Sequence, residues 1–307
     1  MQKVKIPNPA TYFPLALTDI SVIAPIASRF ILGATLPGRI VQTAALGAYA
    51  GSAIIDWIAR GDTRKIKFLD AYGADVKNLT PMPPEEREKD VAELVDWAND
   101  IYTPMDIPRR ELAVEVDKHL TNYIGSITGQ RVETSTEVRD FMVASLIFPF
   151  ALGAADPLSG DVAIFKNTGV FEPHVIAHEF SHRKGYYKEL EAQALAYLSL
   201  MESGVDVLKQ SAICERLDRQ LWVLAENDGA RYNDLVEDLD IREELRSAFG
   251  ARRGVPLLYE RVIGSAMKEM YDARMQLTGQ NGLSDYDEGF TNFLYTMEQK
   301  RKADAAG

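Results

Sequence analysis

Apolar residues recur every three to four positions through most of the second half of the chain, a spacing typical of amphipathic helices. From Pro173 onward these stretches are separated by Gly, Asn or Asp, which often mark helix ends and turns. The spacing predicts helices over 187–202, 205–227, 233–248, 256–278 and 286–302. We therefore expect this part of the chain to be almost entirely helical.

The pattern before Pro173 is more varied. Helical spacing predicts a helix over 109–125, and a charged stretch with proline at its first turn and acids near its N-terminus predicts another over 84–102. Segment 161–171 looks like a strand followed by a glycine-bearing turn. It ends just before Pro173, a residue that can open a helix. The whole pattern predicts an α+β fold that is mostly α-helical, with a small β-sheet.

The clearest change in composition lies at the proline-rich segment 80–84, where we place a domain boundary. Residues 1–80 form a hydrophobic N-terminal region, and residues 81–307 form the main domain. Within the first region, 40–59 has one charged residue, a small-residue spacing and a basic flank, which fits a borderline membrane segment or a buried core helix equally. Residues 40–59 and the less apolar stretch 12–33 could together form a hairpin in or on a membrane.

Charge and cysteine content narrow the possible functions. The net charge is −11, from 45 acidic and 34 basic residues, which argues against a nucleic-acid-binding surface. The single cysteine, Cys214, excludes an internal disulfide and a thiolate metal cluster, so a metal must be held by histidines and carboxylates. Prolines and Asp19 interrupt the N-terminus, so no cleavable signal peptide is evident. We expect a cytoplasmic or membrane-associated protein.

The segment His178-Glu179-Phe180-Ser181-His182 carries the strongest chemical signal. Two histidines four apart on a helix project from one face and can bind one zinc ion at ~2.0–2.1 Å. Glu179 is turned to the side of such an ion, where its carboxylate can take a proton from water and pass it to a leaving amine. Two histidines and one further ligand complete a hydrolytic zinc centre with Glu179 as general base.

Two acids are candidates for the third metal ligand. Gly185 allows the chain to turn sharply out of the metal helix, and the next predicted helix carries Glu189 and Glu191. We favour Glu189, because it lies four residues before Gln193, whose amide is expected to orient a ligand. Glu191 is rotated by roughly 200° around that helix and would face another contact or solvent.

The segment HEFSHRKGYYKELEAQALAYL resembles the gluzincin branch of the zincin metallopeptidases, and in particular an uncharacterised bacterial family with the signature H-E-x-x-H-x-x-G-x-x-x-E-x-E-A-N. The matching residues are His178, Glu179, His182, Gly185, Glu189, Glu191 and Ala192, and Gln193 stands where Asn is usual. A second patch, 270–295, is similar to the C-terminal end of that family at Tyr271, Asp272, Gly282, Ser284 and Tyr286. The resemblance implies a zincin-like domain, a zinc ion, and an N-terminal region that crosses the membrane.

Tyrosines near these motifs are candidates for a second catalytic role. A tyrosine hydroxyl can donate a hydrogen bond to the oxyanion that forms when a carbonyl is attacked. Tyr186 and Tyr187 lie close to the metal helix in sequence. Tyr286 is our first choice, because it lies in a loop rich in Gly and Asp and within the family resemblance.

Several neighbouring features have two interpretations. His174, one turn before His178, either lines the approach to the metal or makes a polar contact at the helix start. Arg183 and Lys184 are expected to be solvated at the end of the helix. Segment 161–166 is either an edge strand, to which an extended peptide could add, or an ordinary core strand.

These observations predict a zinc-dependent hydrolase, and specifically a metallopeptidase acting on a peptide or protein substrate. One alternative is a zinc-binding protein of zincin fold that acts on a non-peptide hydrophobic substrate. Another is a non-catalytic, membrane-linked interaction protein. The sequence indicates no particular oligomeric state.

Overall fold

The computed structural model describes residues 1–7, 24, 27–141, 151–156, 160–253, 269, 272–273, 275–276 and 279–306. Within these residues the protein is mostly α-helical with small β-sheets, as the hydrophobic pattern predicts. The helices are α1 (Leu36–Gly61), α2 (Phe68–Tyr72), α3 (Pro84–Asp100), α4 (Arg109–Thr128), α5 (Glu172–Arg183), α6 (Glu189–Met201), α7 (Asp206–Leu224), α8 (Gly229–Asp238), α9 (Glu243–Arg252) and α10 (Glu288–Ala306).

The strands of the described residues form two short sheets. The strands are β1 (Gln2–Lys5), β2 (Gln130–Glu133), β3 (Arg139–Asp140), β4 (Gly153–Ala155) and β5 (Val162–Ile164). β1 pairs with β2 in parallel, whereas β5 lies between a parallel β3 and an antiparallel β4. The edge-strand interpretation of 161–166 is therefore wrong, because β5 has a neighbour on each side. The edge strand of this sheet next to α5 is β4.

Most of the predicted helices are confirmed, and one is broken in two. The segment 233–248 contains the end of α8 and the start of α9, and Leu239 between them is extended. Contacts with a distant side chain hold this break: Asn99 of α3 donates to Asp240 O at 2.8 Å and accepts from Arg242 N at 2.9 Å. Most of 256–278 lies outside the described residues.

α5 and α6 lie at the centre of the main hydrophobic core. Side chains of α4, α6, α7 and α10 pack around α5, and Val162 and Ile164 of β5 cover it from the sheet. A second cluster joins α3 to α7, α8 and α9. The helix that carries the histidine motif is thus enclosed by other elements, which restricts the positions of its side chains.

The borderline segment 40–59 lies within α1. Of its described side chains, Ile40, Ile54 and Ile58 are 59%, 61% and 68% exposed, and the core-helix interpretation stays a prediction. In the described part of the chain, no helix combines the length and apolarity that crossing a bilayer requires. The stretch 12–33 lies largely outside the described residues, and the domain boundary at residue 80 stays a prediction.

Candidate metal centre

α5 begins and ends as its sequence predicts. Pro173 lies in its first turn, and the first-turn acid Glu172 accepts two hydrogen bonds from Arg109, at 2.6 and 2.8 Å. After the helix, Gly185 has a φ of +93°, a conformation that side-chain-bearing residues rarely adopt. The chain therefore reverses within a few residues and brings the start of α6 back to the histidines.

Three ligand atoms converge at this turn. Glu189 Oε2 lies 3.1 Å from His178 Nε2 and 3.1 Å from His182 Nε2, and the two nitrogens are 3.1 Å apart. In a tetrahedral site with bonds of ~2.0–2.1 Å, neighbouring ligand atoms are ~3.3–3.4 Å apart. An ion with such bonds would therefore sit ~1 Å above the plane of the three atoms. We call these residues the triad; the triad fits a zinc ion.

The hydrogen-bonding groups around the triad also favour a cation. His182 Nδ1 is 2.7 Å from Tyr186 O, so this nitrogen carries the proton and donates, which leaves the Nε2 lone pair directed at the triad centre. Burial alone would lower the pKa of His182, but the Glu189 carboxylate outweighs burial and raises it to about 9. A positive charge at this point is thus stabilised, whether a proton or a metal ion supplies it.

Glu179 lies on the same helix and is turned toward the edge strand. Its side chain is buried, which raises the pKa of its carboxyl group. The backbone N–H of Ala155 in β4 acts in the opposite direction and lowers the pKa of this carboxyl group, but burial has the larger effect. A β-carbon at Gly153 would lie 3.3 Å from Glu179 Oε1 and 2.9 Å from Ala163 O, so the absence of a side chain at Gly153 makes room for the carboxylate.

Of the three candidate tyrosines, Tyr286 is the one whose ring packs against a triad histidine. It ends the short 3₁₀ helix Leu283–Tyr286, and its ring centroid lies 5.8 Å from that of His178. The Tyr186 hydroxyl instead accepts from Ile66 N at 3.1 Å. The Tyr187 hydroxyl accepts from Arg60 at 2.7 Å.

The remaining residues near the motif have other partners. Glu191 lies outside the triad, with its carboxylate 3.2 Å from the ammonium of Lys188. The Gln193 side-chain nitrogen donates to Glu215 at 2.8 Å, and the expectation that its amide orients a ligand stays a prediction. His174 is buried, with Nδ1 3.8 Å from the Glu215 carboxylate, which agrees with the polar-contact interpretation.

The expectation that Arg183 and Lys184 are solvated is wrong, because each is 1% exposed. Among the described residues, Arg183 donates to the backbone carbonyl groups of Ser135, Glu137 and Gly160. The Lys184 ammonium contacts Asp117 and Thr121 of α4 and the carbonyl oxygen of Val132 in β2. These two cations hold the C-terminal end of α5 against neighbouring elements.

Sequence reasoning missed three contacts that shape the centre. Gly153 and Ala155 accommodate Glu179, as described above. Gln280 Oε1 accepts the backbone N–H of Glu189 at 2.8 Å and so caps the start of α6. A glycine in a short strand is a recognisable signal of close approach; the Gln280 contact has no local sequence pattern.

The fold and the site thus define a mostly helical protein with a histidine and glutamate cluster enclosed at its centre. A family model described as a protein of unknown function, DUF3810, matches residues 138–295, and the chain belongs to this family. The matched segment contains the whole triad, Glu179 and Tyr286. Neither the curated proteins nor the solved structures contain a match to the chain.

Proposed function

We propose that the protein is a zinc-dependent hydrolase of zincin-like fold that cleaves peptide bonds. The observation that carries this proposal is the convergence of His178, His182 and Glu189 at mutual distances of 3.1 Å, with the Glu179 carboxylate on the same helix. The three triad residues would hold the ion. When bound, zinc polarises a carbonyl group and lowers the pKa of water toward ~7.

Glu179 is the group that moves protons in this proposal. Its carboxylate accepts a proton from the attacking water and then delivers that proton to the nitrogen of the leaving amine. Burial raises its pKa, which makes the carboxylate a better base than an exposed glutamate. In this proposal the Tyr286 hydroxyl donates a hydrogen bond to the substrate carbonyl oxygen as charge develops there.

Strand β4 supports a peptide as the substrate. At one end of the β4–β5 pair, Phe165 N donates to Leu152 O at 2.8 Å. At the other end, Asp156 N donates to Asp161 O at 2.8 Å. Because hydrogen-bonded residues alternate along an antiparallel pair, the backbone groups of Gly153 and Ala155 point away from β5. They face the side on which Glu179 lies, and an extended peptide could add to this edge through its own backbone.

The test is zinc content by elemental analysis combined with hydrolysis of casein or a peptide mixture. Wild type, Glu179→Gln and the matched control Glu191→Gln should each bind one zinc ion per chain, whereas His182→Ala should lose it. Wild type and Glu191→Gln should cleave, and Glu179→Gln should be slower by ~10²–10⁴-fold.

Each departure from this pattern has a distinct meaning. Absence of zinc from the wild type would overturn the proposal. Stoichiometric zinc without cleavage of any peptide would reject the peptidase activity and favour the alternative of a non-peptide substrate. Equal loss of activity in Glu191→Gln and Glu179→Gln would contradict the assignment of Glu179 as the base.

A further inference from the structure

A buried carboxylate on α7, Glu215, contacts the elements that carry the metal centre. Its side chain is 1% exposed. Oε1 accepts hydrogen bonds from Gln193 at 2.8 Å and from Arg219 at 2.8 and 2.6 Å, while Oε2 accepts from Arg252. A carboxylate buried at this depth and bound to two guanidinium groups has a strongly defined position.

Two contacts of Glu215 lie one helical turn from metal ligands. Gln193 follows Glu189 by four residues on α6, and His174 precedes His178 by four residues on α5. Residues four apart share a helix face, so each contact lies on the same side as the ligand next to it. Glu215 therefore lies against both ligand-bearing helices one turn from the triad, hydrogen-bonded to Gln193 at 2.8 Å and 3.8 Å from His174 Nδ1.

A third contact leads to Tyr286. Arg219, held by Glu215, donates to Asp287 Oδ1 at 2.7 Å, and Arg253 donates to the same oxygen at 3.1 Å. Asp287 directly follows Tyr286, whose ring packs against His178. The same carboxylate thus restrains α5, α6 and the segment that presents the tyrosine.

We propose that Glu215 is a positioning residue for the metal centre, holding Glu189 through Gln193 and Tyr286 through Arg219 and Asp287. This inference rests on the proposed function, since it concerns the same site. Groups beyond the ligands set how well the ligand atoms are preorganised, and their loss typically weakens metal binding ~10–100-fold. Glu215 acts on the ligands through residues one turn away from them, so its effect is on the positions of the ligand atoms.

The chain offers a matched control in Asp90. This carboxylate on α3 accepts hydrogen bonds at 2.6 and 2.9 Å from Arg216, the residue that follows Glu215 on α7. Its side chain is 12% exposed, and Arg216 and Gln220, which donate to it, both lie on α7. Asp90→Asn therefore removes a comparable buried charge without severing a link between the ligand-bearing helices.

The experiment measures zinc affinity of the full chain by competition with a chelator. Glu215→Gln and Gln193→Met should weaken zinc binding ~10–100-fold, while Asp90→Asn should bind as wild type does. If Glu215→Gln fails to fold, Gln193→Met decides the matter, because it leaves Glu215 paired with both arginines.

Wild-type affinity in Gln193→Met would overturn the inference, as would an equal loss in Asp90→Asn, which would mark a general loss of stability. Zinc binding without peptide cleavage by the wild type would reject the peptidase activity and leave this inference standing. A wild type that binds no zinc would overturn both. The two proposals therefore fail in distinguishable ways.

Discussion

Replacing Lys184 by methionine tests how strongly the end of the metal helix is held. The lysine side chain is 0% exposed, and Nζ lies 2.7 Å from Asp117 Oδ1, 2.8 Å from Thr121 Oγ1 and 3.0 Å from Val132 O. Methionine keeps much of the length but removes the charge, so Asp117 stays mostly buried without its cation. Breaking a buried ion pair in this way costs about 3–5 kcal/mol. The Asp117 side chain is 12% exposed, which places the expected loss near the lower end, at about 3 kcal/mol.

The assay is denaturant unfolding of the metal-free protein, with the free energy of unfolding extrapolated to water. Lys188→Met is the control, because that side chain is 42% exposed and pairs with Glu191 at 3.2 Å. It should change the free energy of unfolding by no more than about 0.5 kcal/mol. A double variant, Lys184→Met with Asp117→Leu, should recover much of the loss, since it removes the unpaired charge as well.

Two results would refute this reasoning. If Lys184→Met and Lys188→Met have the same free energy of unfolding, the buried pair contributes nothing beyond an exposed one. If the double variant is as unstable as Lys184→Met, the loss comes from the missing hydrogen bonds to Thr121 and Val132, and the unpaired Asp117 carboxylate is not its cause.

Three further predictions concern the centre and its surroundings. Gly153→Ala places a β-carbon 2.9 Å from a backbone oxygen and 3.3 Å from Glu179 Oε1. We expect the free energy of unfolding to fall by about 1–3 kcal/mol and kcat to fall, with unchanged zinc content. An unaltered kcat would contradict the role of β4. Burial lowers the pKa of His174 to about 3 in the folded protein, so the free energy of unfolding falls as pH falls below the unfolded pKa of the histidine. We expect a loss of about 2 kcal/mol between pH 7 and pH 5. His174→Gln should remove this pH dependence in unfolding measurements on the metal-free protein. If Asp287 acts through Tyr286, the double variant Asp287→Ala with Tyr286→Phe should have the kcat of Tyr286→Phe alone, and a multiplicative loss would show that the two residues act independently.

The long helices could be predicted from sequence because their periodicity reflects burial along one face, which is a local property. The break after Asp238 could not, since two hydrogen bonds from the remote Asn99 hold it. The strand at 161–166 was recognised as a strand, but its place in the sheet depends on β3 and β4, which lie elsewhere in the chain. Local sequence therefore predicts that a segment is a strand more readily than it predicts which strands pair with it.

The triad could be predicted for a similar reason, because the helix turn and Gly185 bring its three side chains together within a dozen residues. Glu215 and Gln280 contact the same centre from positions far along the chain, where no pattern marks them. Lys184 was misjudged because a cation at a helix end is usually solvated. Its partner, Asp117, approaches only when α4 packs beside α5.

The contacts between α4 and α5 also explain how the register of the metal helix is defined. Arg109 of α4 pairs with Glu172 at the start of α5, and Asp117 of α4 pairs with Lys184 just beyond its end. The paired positions lie ~12 Å apart on α4 and ~18 Å apart on α5, a difference that the long arginine and lysine side chains can span. Reversing α5 against α4 would place Arg109 near Lys184 and Asp117 near Glu172, which brings like charges together. Because the histidine motif lies between the two pairs, the same ion pairs that orient the helix also contribute to where its histidines meet Glu189.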